Sequence, residues 1–73
     1  MVSLVFLGRL EDIAGAADLA VARGALTDIL AALDPALTEA RIKLALNGTI
    51  ITDRSVTLQD GDELAFLPPV SGG

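Results

Sequence analysis

Few side chains of this sequence could take part in acid–base or nucleophilic chemistry. The 73 residues include no histidine and no cysteine, which removes the usual general base, the commonest metal ligand and any thiolate. Ser55 and Ser71 have no evident base to activate them. Asp60, Asp62 and Glu63 cluster around a glycine, but they lack the remaining oxygens of a calcium loop. We interpret these acids as turn-forming, solvated charges, and we expect no catalytic side chain and no metal site.

The distinctive reactive group is the terminal carboxylate of Gly73. Gly72 and Gly73 have no Cβ, so they could lie in a narrow channel of another protein and leave the carbonyl carbon open to attack. A carboxylate is a poor acyl donor because its oxygen is a poor leaving group. Small residues at a chain end are also typical of simple fraying.

The residues before the glycines predict a strand and then a projecting stem. Asp60-Gly61 is typical of a tight turn, and the alternation from Glu63 to Leu67 predicts a strand with one buried face. Pro68-Pro69 cannot continue a sheet, because neither residue has an N–H to donate and both favour an extended conformation. We therefore predict a folded domain over residues 1–67 and an extended tail over residues 68–73. The residues available for insertion into a partner are Pro68, Pro69, Val70, Ser71, Gly72 and Gly73.

The segment from Asp60 to Gly73 resembles the C-terminal signature of the small subunit of molybdopterin synthase. That family consists of ubiquitin-like sulfur carriers with a β-grasp fold. The resemblance spans nearly the whole chain, since it also includes Phe6-Leu7 with Gly15 and the segment Leu44-Ala45-Leu46-Asn47-Gly48. The chain departs from the family at Glu11, where a basic residue is often found, and this argues against an anion contact at that position.

The resemblance implies a subunit whose partners supply the catalytic side chains. An adenylyltransferase resembling the ubiquitin-activating proteins would use ATP to adenylate Gly73, and a sulfur donor protein would convert the adenylate to a thiocarboxylate. The large, catalytic subunit of molybdopterin synthase would then accept the tail and use its sulfur to build the dithiolene of molybdopterin. This function implies a cytoplasmic protein without a bound cofactor, in a heterotetramer built on two large subunits.

Three other functions remain open from the sequence. A sulfur carrier of the thiamine pathway shares the fold and the Gly-Gly end, although its tails usually lack a pair such as Pro68-Pro69. A ubiquitin-like modifier would join Gly73 to a lysine through an isopeptide bond. A passive interaction module would only dock its tail and would keep its activity without Gly73.

Size and composition favour one small domain that acts through other proteins. The chain is short, but 52% of its residues are hydrophobic, which is enough to form a core. Its net charge of −5 opposes binding to nucleic acid, and the absence of Tyr and Trp removes most stacking platforms. No apolar run approaches the roughly 18 residues of a membrane span. We expect neither nucleic acid nor a membrane among the partners.

Periodicity predicts an α+β protein with a β-grasp fold, in which a mixed sheet packs on one main helix. The predicted strands are residues 2–7, 18–21, 41–46, 49–52 and 63–67, with a short helix before Gly15. Apolar residues at helical spacing predict the main helix within residues 24–33; they are Leu26, Ile29, Leu30 and Leu33. Gly24 or Ala25 would be its N-cap, which is weak because neither has a capping side chain. Asn47-Gly48 is typical of a type I′ hairpin turn.

Strand parity predicts an apolar surface at the root of the tail. In a β-grasp the first and last strands are parallel neighbours, so Leu7 and Leu67 should meet where the tail leaves the sheet. Ile50 is expected to join them. We call Leu7, Leu67 and Ile50 the docking patch, because exposed apolar residues that cluster are typical of a binding surface. Isolated exposed leucines are also normal on protein surfaces.

Overall fold

The protein is built around a five-stranded mixed sheet, seen in a computed structural model that describes residues 1–69. The strands are β1 (Val2–Phe6), β2 (Asp18–Val21), β3 (Gly24–Ala25), β4 (Lys43–Leu46), β5 (Thr49–Ile51), β6 (Thr57–Leu58) and β7 (Glu63–Leu67). The helices are α1 (Leu10–Ala14), α2 (Leu26–Ala31) and a 3₁₀ helix at Pro35–Leu37. The main sheet has the order β2-β1-β7-β4-β5, while β3 and β6 pair separately. The predicted β-grasp fold is confirmed.

Strand β7 lies at the centre of the main sheet. It pairs in parallel with β1, with Leu4 opposite Leu64 and Phe6 opposite Phe66, and it pairs antiparallel with β4. Because side chains alternate along a strand, the inward residues of β1 and β7 form one apolar layer and the intervening residues face outward. Pro68 and Pro69 therefore follow a strand that is hydrogen-bonded to a neighbouring strand on each side.

The core lies between the inner face of this sheet and the helices. Leu4, Leu64 and Phe66 are completely buried, and the rings of Phe6 and Phe66 lie 4.9 Å apart between centroids. Burial of such a side chain contributes about 1.5–3 kcal/mol to stability. Because Phe6 and Phe66 face inward, their neighbours Leu7 and Leu67 face outward, as strand parity predicts.

Helix α2 begins with Ala25 as its N-cap, one of the two positions that the sequence predicts, and it ends at Ala31, two residues before Leu33. Gly24 and Ala25 also form β3 and pair with β6, and the N–H of Leu26 donates to the carbonyl of Val56 at 3.0 Å. No side chain caps the start of α2, in agreement with the weak N-cap that the sequence predicts. The apolar stripe nevertheless packs into the core, with Leu26, Ile29 and Leu30 buried and Leu33 packed against them.

The predicted hairpin turn between β4 and β5 is confirmed. Asn47 and Gly48 both have positive φ angles, 50° and 87°, as a type I′ turn requires. Three predicted strands were one or two residues too long at an end: β1 ends at Phe6, β4 begins at Lys43 and β5 ends at Ile51. Within residues 1–69 no helix is long and apolar enough to cross a membrane.

Candidate docking surface and tail root

The tail root is held against the end of β1. Strand β7 ends at Leu67, as predicted, and the N–H of Leu7 donates to the carbonyl of Phe66 at 3.1 Å. Gly8 follows with φ +55°, and a Cβ at Gly8 would lie 3.2 Å from Cγ of Pro68. A glycine at this position therefore permits both the backbone conformation and the close approach of the proline. Pro68 and Pro69 are half-buried, so both prolines pack on the domain.

The start of β7 is anchored by a polar network at the opposite end of the sheet. The Asn47 side chain accepts a hydrogen bond from the N–H of Glu63 at 2.9 Å and donates one to Asp62 at 3.0 Å. Asp62 also accepts from the N–H of Gln59 at 2.8 Å. The hydrogen bond from the Gln59 N–H has the larger effect on the pKa of the Asp62 carboxyl, and that from the Asn47 side chain the smaller one. Together they hold this pKa below its ordinary value. The hairpin turn and the turn before β7 are thereby joined.

The acids near this turn have structural contacts. Asp60 accepts from the amino group of Met1 at 2.8 Å, and the guanidinium of Arg23 lies 3.5 Å from its other oxygen. Residues 1–69 contain no group of three or more acidic side chains placed to bind a metal ion. The interpretation of Asp60 and Asp62 as turn formers agrees with these contacts.

The outer face of the sheet carries an apolar row next to the tail root. Val5 lies opposite Ala65, Ala65 opposite Ala45, and Ala45 opposite Ile50. The row is shallow in the middle, because alanine occupies both central strands. We call Val5, Ala65, Ala45 and Ile50 the alanine row. It was not predicted as a unit, since the sequence does not reveal which outward residues of separate strands become neighbours.

The structure places the docking patch on this same face, with its members unevenly spaced. Leu7 is 42% exposed and follows Phe6, the register partner of Phe66, so it lies beside Leu67. Ile50 is 52% exposed and lies two strands away from Leu67, at the far end of the alanine row. Strand spacings put their Cα atoms roughly 12 Å apart. Ile50 thus joins the two leucines only through the alanine row.

Some predicted site residues cannot be placed. Val70, Ser71, Gly72 and Gly73 lie outside the described residues, so the attachment point and most of the inserted segment stay predictions. Glu11, where the family pattern is broken, is exposed in the first turn of α1.

One cationic residue, Lys43, lies near the tail root, and the sequence did not single it out. Lys43 lies opposite Leu67 in the pairing of β4 with β7, and it is exposed. Alternation alone indicates that Lys43 faces away from the core. Its position beside Leu67 follows from the register of two strands that are distant in sequence, and no local signal carries that information.

Comparison with known proteins places these features in a family. The sequence profile of the ThiS family matches residues 4–73. No curated protein sequence matches the chain.

Solved structures with the same fold include two kinds of protein. The solution structure of small archaeal modifier protein 1 from Methanosarcina acetivorans has a TM-score of 0.82 and 26% identity, covering 99% of this chain and 95% of that one. The crystal structure of the same modifier from Haloferax volcanii has a TM-score of 0.72 and 26% identity, with coverages of 99% and 98%. The complex of subunits 1 and 2 of the molybdopterin-converting factor from Helicobacter pylori has a TM-score of 0.69 and 26% identity, with coverages of 99% and 97%.

Proposed function

The chain belongs to the ThiS family of ubiquitin-like sulfur carriers, and from that premise we propose that it carries sulfur for molybdopterin synthase as a thiocarboxylate on Gly73. Carriers of this family are small and non-catalytic. The observation that carries the proposal is the tail root: Pro68 and Pro69 directly follow the central strand and stand beside exposed apolar side chains. A partner that binds this face would receive the tail in a defined direction.

The proposed loading proceeds in two steps. A carboxylate oxygen of Gly73 attacks the α-phosphorus of ATP in the adenylyltransferase, and pyrophosphate leaves. Hydrosulfide released by a donor protein then attacks the carbonyl carbon, the C–O bond to AMP breaks with departure of AMP, and loss of the sulfur-bound proton gives the thiocarboxylate. In the large synthase subunit this sulfur attacks a carbon of the molybdopterin precursor and displaces an oxygen substituent from it, and water then cleaves the acyl–sulfur bond. Sulfur stays on the product, and the carboxylate of Gly73 is regenerated for another cycle.

The partners enter this proposal by similarity and by surface chemistry. The Helicobacter pylori relative is described as a complex of two subunits of molybdopterin-converting factor, which supports an equivalent large subunit as the acceptor here. The exposed parts of Leu7 and Leu67 would lose contact with water on docking, and apolar area removed from water contributes about 25 cal/mol per Å² before the costs of association. The adenylyltransferase and the sulfur donor follow from the family chemistry, as does a cytoplasmic location.

The test is intact-mass measurement after incubation with an adenylating enzyme, ATP and a sulfur source. We expect a mass gain equal to the replacement of one oxygen by sulfur, localised to Gly73 by fragmentation. A chain lacking Gly73 is the control and should gain nothing. If the full chain stays unchanged while the same enzyme loads an established carrier, the sulfur-carrier function is refuted. Transfer to a molybdopterin precursor by the large subunit then separates this pathway from the thiamine pathway.

The second candidate function is that of a protein modifier, favoured by the similarity to small archaeal modifier protein 1. In that case Gly73 would form isopeptide bonds with lysines of other proteins. The discriminating measurement is a digest of cell extract searched for lysines that carry the C-terminal residues of this chain. Adducts that require Gly73 would favour the modifier, whereas thiocarboxylate without adducts would favour the carrier.

A further inference from the structure

An apolar groove of about 380 Å³ lies between β2 and α2, on the helix side of the main sheet. Leu19 and Val21 are the register partners of the buried residues Leu4 and Val2, so their side chains point to that side. Leu19 is nevertheless 45% exposed, so the helices leave this edge of the inner layer uncovered. The remaining apolar lining comes from α2 and the segments next to it, at Ala22, Ile29, Ala32 and Leu33.

Strand β2 presents unpaired backbone groups beside this groove. It is an edge strand, with β1 on one side and no strand on the other among residues 1–69. The N–H of Phe6 donates to the carbonyl of Ala17 at 2.9 Å. Because bonding alternates along an antiparallel pair, Leu19 also directs its backbone groups toward β1. The N–H and C=O groups of Asp18 and Ala20 therefore point to the free edge.

These backbone groups determine the conformation of a segment that could bind there. An extended segment that pairs with β2 would satisfy the free N–H and C=O groups and would place alternate side chains over the groove. Proteins commonly block an edge strand with Lys, Pro or a bulge. The sequence Asp18-Leu19-Ala20-Val21 contains neither residue, and its pairing with β1 has no bulge. The edge is thus open to an added strand.

The charges around the edge favour a basic segment over a second copy of this chain. Asp18 and Asp28 are exposed, and neither takes part in an ion pair within residues 1–69. The nearby cation, Arg23, already has a counter-charge, since its guanidinium lies 3.5 Å from the Asp60 carboxylate. A second copy would bring the same acids and a net charge of −5 to the contact, whereas Lys or Arg side chains would be attracted.

We propose that β2 and its groove bind an extended basic segment of another protein as a sixth strand of the main sheet, in antiparallel pairing. Apolar side chains of that segment would contact Leu19 and Val21 in the groove. Alternate basic side chains would lie on the outer face, next to Asp18. The groove lies on the helix side and β1 separates β2 from β7, so this site and the docking patch can be occupied together. The inference does not rest on the proposed function.

Capped peptides test the added strand by amide NMR and calorimetry. With Lys-Ile-Lys-Val-Lys we expect shifts at residues 18–22, 28 and 32–33 and none at residues 7 and 67. The peptide Glu-Ile-Glu-Val-Glu is the matched control and should bind at least about tenfold more weakly. N-methylation of the central Lys removes a donor that faces β2 and should abolish binding, whereas N-methylation of Ile removes one that points away. Equal affinity of the two methylated peptides, or of the basic and acidic peptides, would overturn the proposal.

Variants of the chain test the same contact from the other side. Ala20→Pro blocks the edge without removing a hydrogen bond to β1, because the lost N–H points to the free side. It should abolish the peptide shifts, whereas Ala20→Thr keeps the N–H and should bind as the wild type does. Asp18→Lys should weaken binding of the basic peptide roughly threefold, and Glu39→Lys, the same charge change outside the groove, should not. Wild-type affinity in a folded Ala20→Pro variant, or equal effects of Asp18→Lys and Glu39→Lys, would overturn the proposal.

A second copy as the occupant is distinguished by the oligomeric state. Shifts at residues 18–22 that grow with the concentration of the chain alone, together with a dimer in sedimentation that Ala20→Pro converts to a monomer, would overturn the basic segment in favour of self-association. A monomer with unchanged spectra on dilution supports the proposal. These measurements need neither Gly73 nor an adenylating enzyme, so their failure differs from failure of the sulfur-carrier function.

Discussion

The contact between Gly8 and Pro68 leads to a quantitative prediction about Gly8→Ala. Gly8 has φ +55°, and a residue with a Cβ costs about 1–2 kcal/mol in that left-handed region. The new Cβ would also lie 3.2 Å from Cγ of Pro68, so the proline must shift by a few tenths of an ångström. Part of the loss is offset because alanine lowers the entropy of the unfolded chain by an equivalent of about 0.4–1 kcal/mol. We expect a net loss of stability of about 1 kcal/mol.

Gly15→Ala is the matched control for this change. Gly15 also has a positive φ, +79°, but a Cβ there would have nothing within 4 Å. Both variants should therefore lose similar stability, measured as the free energy of unfolding in urea. Only Gly8→Ala should also slow sulfur loading, because it alone displaces the tail root. A severalfold effect is expected, since a misplacement of about 1 Å can cost on the order of 100-fold in rate.

Two further variants make the reasoning refutable even if Gly8→Ala folds poorly. Gly8→Asn keeps the Cβ but tolerates positive φ better, so it should retain more stability and still slow loading. Pro68→Ala removes the Cγ, and adding it to Gly8→Ala should restore part of the loading rate. Equal loading by Gly8→Ala and Gly15→Ala, both folded, would mean that the contact with Pro68 does not position the tail.

Four other predictions follow from single residues. Leu30→Ala should lower the free energy of unfolding by about 2–5 kcal/mol, because Leu30 is only 9% exposed; wild-type stability would contradict its place in the core. Leu67→Asp should weaken binding to the large subunit, measured by calorimetry, because it places an unpaired charge in an apolar contact. Leu19→Asp is the control, since Leu19 lies on an edge strand away from the tail root and its change should leave binding unaltered. Equal effects of the two variants would argue against the docking patch. The pKa of Asp62 is lower in the folded chain than in the unfolded chain, where it is about 3.9. The ionised carboxylate therefore stabilises the fold at pH values above the unfolded pKa, and this stabilisation is lost as the pH falls through the folded pKa. Asp62→Asn should therefore flatten the fall in stability on acidification in pH-dependent urea titrations, and an unchanged profile would exclude this role. If the chain modifies proteins, Lys43→Arg should remove all chain-to-chain isopeptide adducts seen by mass spectrometry, because Lys43 is its single lysine.

The strands were predicted well where a local pattern agreed with the tertiary environment. Outward and inward faces of β7 followed from the alternation between Glu63 and Leu67, and the β4–β5 turn followed from the preference of Asn47-Gly48 for positive φ. Strand β3 was not predicted, because Gly24 and Ala25 form it only by pairing with β6, and helix α2 was predicted too long only at its C-terminal end. That pairing joins segments more than thirty residues apart, and the helical spacing of the apolar side chains carries no information about it.

Some features of the candidate site could likewise be predicted from local sequence, and others depend on contacts between residues distant in the chain. The sequence by itself limited the side-chain chemistry, since it contains no His and no Cys, and it is the sole basis for the prediction that Gly73 is the reactive group. Only the tertiary structure decided that Lys43 lies beside Leu67, that Ile50 reaches the leucines through two alanines, and that Gly8 supports Pro68. Turn preferences depend on a few neighbouring residues and can be recognised in the sequence. Strand register depends on burying all the inward side chains of the sheet together. The neighbours of the tail root are consequently a property of the folded sheet.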